Sequence, residues 1–493
     1  MLLSMPKKGV NYIMQGLNGQ LSILSKSDIS QIHQTSLDIL KEIGIKMENE
    51  ALLEMLEEKG AIVDYTKQIV RIPKSMVEEA IEKAPSKVIL YGREGKPDLH
   101  LEGKNVYTGT GGTAVNIFDL EQGERRASKA RDVALTARLV DNLANIDFFV
   151  VPVYPDDREK LGADEARFLN ALCYTGKHVM GGVYTARGIE RVIDFAEEVA
   201  GSAAELRKRP IISMITSIIS PLKMEKDYTK YMEYIISRGV PVVAPPAPIA
   251  GATSPLTLAG CLAQLNAEAL FGIVLAQNIE AGAKVLYGIV PTTMDMRTSS
   301  FRFGSIESGL MNAAGAELAQ YYNLPVYNTA GVTDSRTSDI QAGYEKMGGI
   351  LLSGLVGANF IHDAAGLLDT GLTVAYEQYV IDNDILGMVK KIIAGIKVDE
   401  ERLAFADIEE TGPEGDFMTA ATTLKFLRSE FYDQDIFVAE RWEEWQKEGA
   451  KDGATRAKEI ARDIIYNNKS KYIPESILDN YQGLDPVEVA EIE

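Results

Sequence analysis

Short apolar runs rich in β-branched residues alternate with amphipathic segments through most of this 493-residue chain. Eight such runs lie at residues 105–108, 148–153, 178–183, 211–216, 240–244, 284–289, 326–330 and 358–362. Most of the segments between them repeat apolar residues every three or four positions, which indicates helices. Strands that alternate with helices form right-handed βαβ units around a parallel sheet. The pattern therefore predicts an α/β protein with a closed (β/α)8 architecture, the TIM barrel.

The chain extends beyond the barrel on both sides. We predict an N-terminal extension of helices and a hairpin at 1–104, the barrel at 105–396, and a C-terminal helical wrap with an extended arm at 397–493. In the extension, Asp28 is placed to cap a helix that ends at Gly44, and β-branched residues at 61–72 indicate the hairpin. In the barrel, Ser254 followed by Pro255 predicts a helix start, because Ser is a good N-cap and Pro fits the first helical position.

Composition limits the classes of binding partner and indicates the cellular compartment. The chain has 51 Lys and Arg against 71 Asp and Glu, and this net charge of −20 argues against nucleic-acid backbones and anionic membranes as partners. Cys173 and Cys261 lie in apolar, helix-like windows and are predicted to be buried thiols rather than a disulfide framework. The most apolar run, 211–219, is far shorter than the roughly 20 residues that span a bilayer. We therefore expect a cytoplasmic protein, and the scattered His and Cys residues show no metal-ligand spacing.

The glycine-rich segment 109–114 fits the pattern G-x-G-x-x-A of dinucleotide-binding sites. That pattern requires a helix directly after the glycines, whereas residues 114–118 have the composition of a strand. We therefore interpret the segment as a tight glycine turn at the barrel mouth.

The active site of a TIM barrel lies at the C-terminal ends of its strands. Here those ends comprise residues 107–112, 153–155, 182–184, 216–217, 245–254, 291–304, 328–339 and 362–363. They are rich in tyrosine, phenylalanine, small residues and amides, with one histidine, no carboxylate triad for Mg²⁺ and no lysine for a Schiff base. Aromatic faces attract quaternary ammonium groups by about 0.5–2 kcal/mol per ring, so this mouth suits a cation that has no proton to give.

Each of these side chains also has a purely structural interpretation. Tyrosines at strand ends often pack against a barrel rim, and His362 fits a core histidine with satisfied hydrogen bonds. Asp334 and Asp339 fit the N-cap of a helix that begins near Ile340. The sequence leaves both interpretations open.

Three separated segments resemble the trimethylamine methyltransferase superfamily. They are Gly-Gly-Thr at 111–113 with Asp119 beyond it, NTAGVTDSR at 328–336 followed by DIQAGYEK at 339–346, and HDAAGLLD at 362–369. The resemblance extends over residues 27–442, with the motifs in the same order. The founding member carries pyrrolysine near the segment 334–339, where this chain has Thr337 and Ser338. The chain therefore resembles the non-pyrrolysine branch, whose members demethylate quaternary amines such as glycine betaine, proline betaine or carnitine.

The resemblance implies a reaction, a partner and a cofactor arrangement. Members of the superfamily are (β/α)8 barrels that transfer a methyl group from an amine to the cobalt of a separate corrinoid protein. The methyl acceptor is then cob(I)alamin on a cognate corrinoid protein, and we expect no tightly bound cofactor and no metal ion in this chain itself. The substrate is expected to be a small quaternary amine, and the enzyme is expected to form a homo-oligomer, as large barrels often do.

The expected substrate site combines aromatic walls with polar donors. Tyr107, Phe301, Phe303 and Tyr344 are expected to surround the trimethylammonium head. A substrate carboxylate requires donors, for which His362, Asn328, Arg302 and the amides of the helix expected at Ser254 are the candidates. Asp334 or Glu377 is expected to supply a compensating negative charge. No residue is assigned as a catalytic acid or base.

Two other functions compete with this interpretation. A different TIM-barrel lyase or aldolase would require a metal ion or form a trappable imine. A catalytically silent protein would bind the quaternary amine without transferring a methyl group. The sequence does not select among glycine betaine, proline betaine and carnitine, because the shape of the pocket decides that.

Overall fold

The computed structural model describes residues 21–436, 438–468 and 470–481. The N-terminal extension contains α1 (Lys26–Asp38), β1 (Ile45–Met47), α2 (Glu50–Glu58), β2 (Ile62–Asp64), β3 (Ile69–Arg71), α3 (Lys74–Lys83), β4 (Val88–Leu90) and β5 (Leu99–Leu101). The predicted hairpin is confirmed as β2 and β3, which pair antiparallel. Ser25 caps α1, and Asp28 completes a capping box from inside the helix rather than serving as the cap itself.

The central part of the chain alternates strands and helices. Its first half contains β6 (Tyr107–Thr110), β7 (Asn116–Phe118), β8 (Arg125–Ala127), α4 (Ala130–Asp141), β9 (Phe149–Val150), α5 (Lys160–Tyr174), β10 (Val179–Gly182), α6 (Ala186–Ala200), α7 (Ala203–Lys208), β11 (Ile212–Ile215), β12 (Lys223–Met224) and α8 (Lys226–Ser237). Its second half contains β13 (Val242–Val243), β14 (Ile249–Ala250), α9 (Leu258–Ile279), β15 (Val285–Gly288), β16 (Thr292–Asp295), β17 (Ser300–Arg302), α10 (Ile306–Tyr321), β18 (Val326–Thr329), α11 (Ile340–Val356), β19 (Phe360–Ala365), β20 (Leu367–Leu368), β21 (Thr373–Val374) and α12 (Tyr376–Ala394).

Eight parallel strands form the barrel, as predicted. Their order in the sheet is β6-β19-β18-β15-β13-β11-β10-β9. An isolated parallel bridge between Gly109 and Phe148 joins the two edge strands and closes the ring. The glycine-rich segment continues into strand β7, so the helix that a dinucleotide fingerprint requires does not follow it.

The hairpin of β4 and β5 closes the N-terminal end of the barrel. Its Val88, Leu90, Leu99 and Leu101 are buried together with inward-facing barrel residues that include Phe148 and Phe360. The rings of Phe148 and Phe360 stack with centroids 3.6 Å apart. Among the described residues, this packing fills the N-terminal half of the barrel.

Helix α9 begins later than the sequence suggests. The expected start at Ser254 is wrong, because the helix begins at Leu258 after Thr257. The preceding residues form a tight turn, in which the amides of Thr253 and Ser254 both donate to the carbonyl of Ile249. Backbone amides at Ser254 are therefore used by the turn and do not form a helix N-terminus.

Helix α9 is also the one helix among the described residues that is long and apolar enough to cross a membrane, but 83% of its most apolar stretch is buried inside the fold. Its burial is that of a helix packed in the protein core. Cys173 and Cys261 are both buried and form no disulfide, as predicted.

The C-terminal part wraps the outside of the barrel. It contains α13 (Phe405–Thr411), α14 (Ala421–Phe426), α15 (Trp442–Lys447), α16 (Gly453–Asn467) and α17 (Glu475–Leu478). Helix α16 packs against α12 and α4, and Arg138 of α4 donates to the carbonyl of Ile465. Helices α13, α14 and α15 bury none of their residues. Residues 482–493 of the predicted arm lie outside the described residues.

Candidate active site at the barrel mouth

Strands β18 and β19 place four side chains on the barrel axis near its C-terminal end. Tyr327 and His362 stack with ring centroids 5.1 Å apart, and 2.6 Å separates the Tyr327 hydroxyl from His362 Nδ1. Asp363 accepts a hydrogen bond from Thr329 Oγ1 at 3.1 Å and one from the backbone amide of Gly112 at 3.3 Å. We call Tyr327, Thr329, His362, Asp363 and Gly112 the central cluster.

Burial fixes the protonation of the ring pair in the central cluster. It lowers the pKa of His362 and raises the pKa of Tyr327 well above its usual value. Both rings are therefore neutral near pH 7. Within the described residues the Tyr327 hydroxyl has no other acceptor than His362 Nδ1, so it donates there and the imidazole proton resides on Nε2. His362 Nε2 is buried and lacks a hydrogen-bond partner, which leaves an unused donor.

Asp363 has an unusual backbone conformation. Its φ is +65°, in the left-handed region that Asp and Asn tolerate better than other residues with side chains. It lies where the pairing of β19 with β6 shifts register between Ile361 and Ala365. The neighbouring Gly111 leaves no space for a side chain, because a Cβ atom there would lie 2.2 Å from Leu367 Cδ1 and 2.9 Å from Asp363 Oδ1. The backbone conformation thus sets the position of the Asp363 carboxylate.

A cleft of about 520 Å³ lies at the ends of the second and third barrel strands. It is lined by Val115, Ala127, Tyr154, Pro155, Asp156, Arg158 and Tyr184. The rings of Tyr154 and Tyr184 meet edge to face, with centroids 5.2 Å apart. The Tyr184 hydroxyl donates to Thr113 Oγ1 at 3.2 Å, and Thr113 directly follows Gly112. The cleft is therefore adjacent to the central cluster.

A buried ion pair fixes the two tyrosines. Arg167 and Asp164 are both fully buried, with 3.5 Å between Nη1 and Oδ1. Arg167 donates to the carbonyls of Val153 and Gly182, and its guanidinium lies 5.7 Å and 5.4 Å from the ring centroids of Tyr154 and Tyr184. Asp164 Oδ2 accepts the backbone amide of Tyr184 at 3.0 Å. These contacts hold both rings in place before any ligand binds.

Arg158 supplies a cationic side chain to the same cleft. It lines the cleft, and its Nε atom is buried without a hydrogen-bond partner. An arginine with an unused donor is suited to bind a carboxylate. The cleft thus combines two aromatic rings with one site for an anion.

Four of the predicted site residues come together on the opposite side of the mouth. The backbone amides of Phe303 and Gly304 donate to Asp334 Oδ1 at 2.8 and 3.2 Å, and Arg302 Nε lies 3.9 Å from Asp334 Oδ2. The rings of Phe301 and Phe303 lie 5.4 Å apart. Burial raises the pKa of Asp334, and the nearby Glu345 adds to the rise. We call Phe301, Arg302, Phe303 and Asp334 the rim group.

Two further predicted residues lie farther out. Tyr344 on α11 is 61% exposed. The charged neighbour of Glu377 is Lys458 on α16, and burial raises the pKa of this glutamate. Glu377 is therefore associated with the C-terminal helix, and its expected role as a counter-charge at the mouth is not supported by its position.

Tyr107 and Asn328 do not lie in the mouth, and their expected placement is wrong. Tyr107 is the first residue of β6, at the N-terminal end of the barrel, where its hydroxyl accepts the amide of His100. Asn328 is fully buried and donates to Ser353 of helix α11, on the outside of the barrel. Successive residues of a strand point to opposite faces, so Tyr327 takes the inward position instead.

The sequence interpretation missed four residues that form the site, namely Tyr154, Arg158, Tyr184 and Asp363. Both tyrosines lie at predicted strand ends, and this position was the signal that could have selected them. Nothing in the sequence distinguishes Asp363 from its neighbours, because its role depends on the left-handed backbone. The structural alternative is confirmed for Asp339, which caps α11 by accepting the amide of Ala342.

Comparison with known proteins identifies the relatives of this chain. The family model described as trimethylamine methyltransferase (MTTB) matches residues 5–484. The chain is 37% identical over 457 residues to the trimethylamine methyltransferase MttB of Desulfitobacterium hafniense, covering 93% of this chain and 92% of that protein. It is 31% identical over 431 residues to a glycine betaine methyltransferase of the same species, covering 87% and 89%.

A solved structure confirms the architecture. The crystal structure of the hydroxylamine MtmB complex superimposes with a TM-score of 0.50 at 14% identity, covering 90% of this chain and 93% of that one. At this identity the likeness concerns the fold alone. Together with the sequence matches over nearly the whole length, it shows that the chain belongs to the trimethylamine methyltransferase (MTTB) family and is a methyltransferase.

Proposed function

We propose that the protein transfers a methyl group from a quaternary amine of the glycine betaine type to the Co(I) of a corrinoid protein. In this reaction the cobalt attacks the methyl carbon in line, a Co–C bond forms and the C–N bond breaks. The electron pair of the broken bond stays on nitrogen, so a neutral tertiary amine leaves and the cobalt becomes methyl-Co(III). No proton is transferred, because the nitrogen is already positively charged.

The observation that carries this proposal is the composition of the cleft. Tyr154 and Tyr184 offer aromatic faces of the kind that bind quaternary ammonium by cation–π attraction. Arg158 lies in the same cleft with a donor that a substrate carboxylate can use. A betaine carries both charges on one small molecule, and this cleft offers a partner to each of them.

The catalytic task left to the protein is positioning. Holding one methyl group toward the cobalt and excluding water converts the transfer into an oriented displacement, which needs no acid or base. The buried Arg167–Asp164 pair keeps the aromatic walls rigid. His362 offers its Nε2 hydrogen as a further donor for the substrate. The rim group and Tyr344 lie farther out, where they border the approach to the mouth.

The relatives support a quaternary amine as the substrate class, but they do not identify which amine is the substrate. The two relatives described above are a glycine betaine methyltransferase at 31% identity and a trimethylamine methyltransferase at 37% identity. Ordinary Thr337 and Ser338 occupy the segment in which pyrrolysine is expected for trimethylamine. Carnitine and proline betaine remain in the proposed substrate class, and trimethylamine is the alternative that the experiment must test.

The proposed partner is a corrinoid protein that covers the barrel mouth. The loops at 109–112 and 247–254 consist largely of small residues and allow a corrin ring to approach closely. The chain itself is proposed to hold no corrinoid and no metal. Two buried cysteines that form no disulfide are consistent with the proposed reducing, cytoplasmic setting.

A substrate panel tests the proposal. The purified protein is mixed with a corrinoid protein reduced to Co(I), and glycine betaine, carnitine, proline betaine or trimethylamine is added. We expect the Co(I) absorbance to be replaced by that of methyl-Co(III) with at least one quaternary amine and not with trimethylamine. Turnover with trimethylamine alone would reject the substrate class, and betaine binding without any methyl transfer would indicate a silent binding protein.

A pair of variants tests the aromatic walls. Replacing Tyr184 by leucine removes one ring from the cleft, and the binding constant for the quaternary amine should weaken by about 3- to 30-fold, the equivalent of one cation–π contact. Tyr321→Leu is the matched control, because Tyr321 is exposed on the outer helix α10. Equal binding by both variants would remove Tyr184 from the site.

A further inference from the structure

Asp363 is a buried carboxylate on the barrel axis that has no cationic partner among the described residues. Its residue exposure is 4%, and its two hydrogen bonds come from the neutral donors Thr329 Oγ1 and the Gly112 amide. Its one basic neighbour within 4 Å is His362, whose Nε2 lies 3.1 Å from Oδ1 without hydrogen-bond geometry. Because that histidine is neutral, it does not balance the charge.

Two other buried carboxylates of the barrel each lie beside a cation. Asp382 lies 3.0 Å from Lys346, and Asp132 lies 2.8 Å from Arg126. An unpaired charge in a protein interior costs free energy, so it persists where a ligand completes the pair or where function requires it. Glu268 and Asp384 are also buried without a cation, but each accepts three hydrogen bonds. Asp363 has neither a cation nor a third hydrogen bond among the described residues.

The backbone keeps Asp363 in this position. A non-glycine residue at φ +65° is strained, and such residues concentrate at functional sites. Gly111 makes room for the carboxylate, because a Cβ atom there would lie 2.9 Å from Asp363 Oδ1, and the hydrogen bonds from Thr329 and Gly112 hold it there. The carboxylate is thus fixed in advance, which limits the cost of organising it around a ligand.

The carboxylate lies within reach of the cleft. Gly112, which donates to Asp363, is directly followed by Thr113, which accepts from the Tyr184 hydroxyl. Adjacent residues of one segment therefore connect the Asp363 carboxylate to the Tyr184 ring of the cleft.

We propose that Asp363 is the counter-ion of the substrate's ammonium head and makes the site select a permanent positive charge over a neutral group of the same shape. This inference rests on the proposed function and assigns the counter-charge to a residue other than Asp334 or Glu377. The aromatic rings supply shape and a diffuse attraction, which a tert-butyl group also satisfies in part. The carboxylate supplies the discrimination, because it interacts with the charge itself.

The test compares two probes of equal shape. Glycine betaine and 3,3-dimethylbutanoate differ only in having N⁺ or C at the head, and their dissociation constants are measured by calorimetry. We expect the wild-type protein to bind glycine betaine at least about tenfold more tightly than the isostere. In Asp363→Asn this ratio should fall by at least about threefold, mainly through weaker betaine binding, and the preference that remains comes from the aromatic rings. Asparagine tolerates the same left-handed backbone, so the variant should remain folded.

A matched control separates the local charge from the overall charge. Asp295→Asn removes the same charge from a residue of the mouth that is already paired with Arg297 at 3.2 Å, and it should keep the wild-type ratio. If Asp363→Asn keeps that ratio, or weakens both probes equally, the counter-ion role is wrong while the proposed function stands. If the wild-type protein binds neither glycine betaine nor any other amine of the substrate panel, the proposed function fails as well.

Discussion

Individual buried residues in this barrel are held in the neutral form by the surrounding apolar packing. His178 is fully buried, and its Nε2 lies 2.8 Å from Ser213 Oγ. Burial lowers the pKa of His178 to about 3 and lowers that of His362 as well. In the unfolded chain both histidines return to a pKa of about 6.5. Acid conditions therefore favour the unfolded state, which binds the additional protons.

The first prediction concerns this pH dependence. Between pH 6.5 and the folded pKa, only the unfolded state carries the proton on His178, so stability falls as the pH falls through that window. At pH 5 the loss from His178 is roughly 2 kcal/mol relative to neutral pH. Urea unfolding midpoints measured at pH 7.5 and pH 5 should differ less for His178→Gln than for the wild type. An equal difference in both proteins would show that His178 does not contribute.

The second prediction concerns Gly111, whose lack of a side chain places Asp363. In Gly111→Ala the new Cβ would lie 2.2 Å from Leu367 Cδ1, so the backbone must shift and displace the carboxylate. We expect at least about tenfold weaker binding of glycine betaine, together with a stability loss of about 1–3 kcal/mol from overpacking. Calorimetry and urea unfolding provide these two measurements.

Gly343→Ala is the control for this substitution. No atom lies within 4 Å of a Cβ at Gly343, which is inside helix α11. Alanine should leave betaine binding unchanged and stabilise the helix by up to about 1 kcal/mol. Binding that survives Gly111→Ala as well would show that the glycine is not required for the site.

At the scale of elements, a buried ion pair ties the loops after the last two barrel strands to the helices that follow. Lys346 of α11 donates to the carbonyl of Gly331 at 2.6 Å and lies 3.0 Å from Asp382 of α12. Asp382 also accepts the amide of Gly366 at 2.7 Å. Both side chains are fully buried, so these loops, which flank the central cluster, depend on one pair of charges.

The third prediction follows from that pair. Lys346→Met leaves the Asp382 carboxylate without its cation, and we expect a destabilisation of about 3–5 kcal/mol. The double variant Lys346→Met with Asp382→Asn should be less destabilised than the sum of the two single variants, because it removes the uncompensated charge. Urea unfolding of the four proteins measures the coupling. Additive effects would show that the two charges act independently.

The sequence predicted the positions of strands and helices better than the directions in which their side chains point. The eight strands and the hairpin of β2 and β3 follow from the sequence pattern, and the structure contains them. The predicted start of α9 at Ser254 was wrong, because Ser254 belongs to a tight turn and the helix begins only at Leu258. Local signals do not reveal this competition between a turn and a helix.

Orientation within a strand was the weaker part of the prediction. Strand β18 is buried on both faces, so hydrophobicity does not show that Tyr327 points inward and Asn328 outward. Tyr107 lies at the wrong end of β6 because the strand begins two residues later than its predicted start at 105. The members of the rim group do lie together, because they belong to two loops that the barrel rule places side by side, while their role in binding stays a prediction.

At the scale of the whole molecule, the described residues of the C-terminal part expose many large apolar side chains. The most exposed large side chains between α12 and α16 include Phe405 at 72%, Met418 at 80%, Phe431 at 80% and Trp442 at 63%. Monomeric proteins seldom expose so many neighbouring apolar residues, and an aromatic side chain presents about 150–250 Å². The three exposed aromatic side chains would supply part of the roughly 800 Å² per partner that a stable interface buries.

The fourth prediction is that a second copy of the chain covers this surface. Sedimentation velocity at micromolar concentration should give a mass that is a multiple of 54.0 kDa. Replacing Phe405 and Phe431 by serine should yield the single-chain mass, with an unchanged far-ultraviolet circular dichroism spectrum, because both side chains lie outside the barrel core. A wild-type protein that sediments as a single chain would contradict this prediction.

The most direct test of the whole account follows the methyl group itself. Glycine betaine labelled with ¹³C on its methyl groups is incubated with the protein and a Co(I) corrinoid protein, and the products are observed by NMR. The account predicts labelled methyl-Co(III) and dimethylglycine in equal amounts, with carnitine or proline betaine giving the corresponding pair if the pocket prefers them. The absence of a cobalt-bound methyl signal from every quaternary amine, with turnover of trimethylamine under the same conditions, would contradict it.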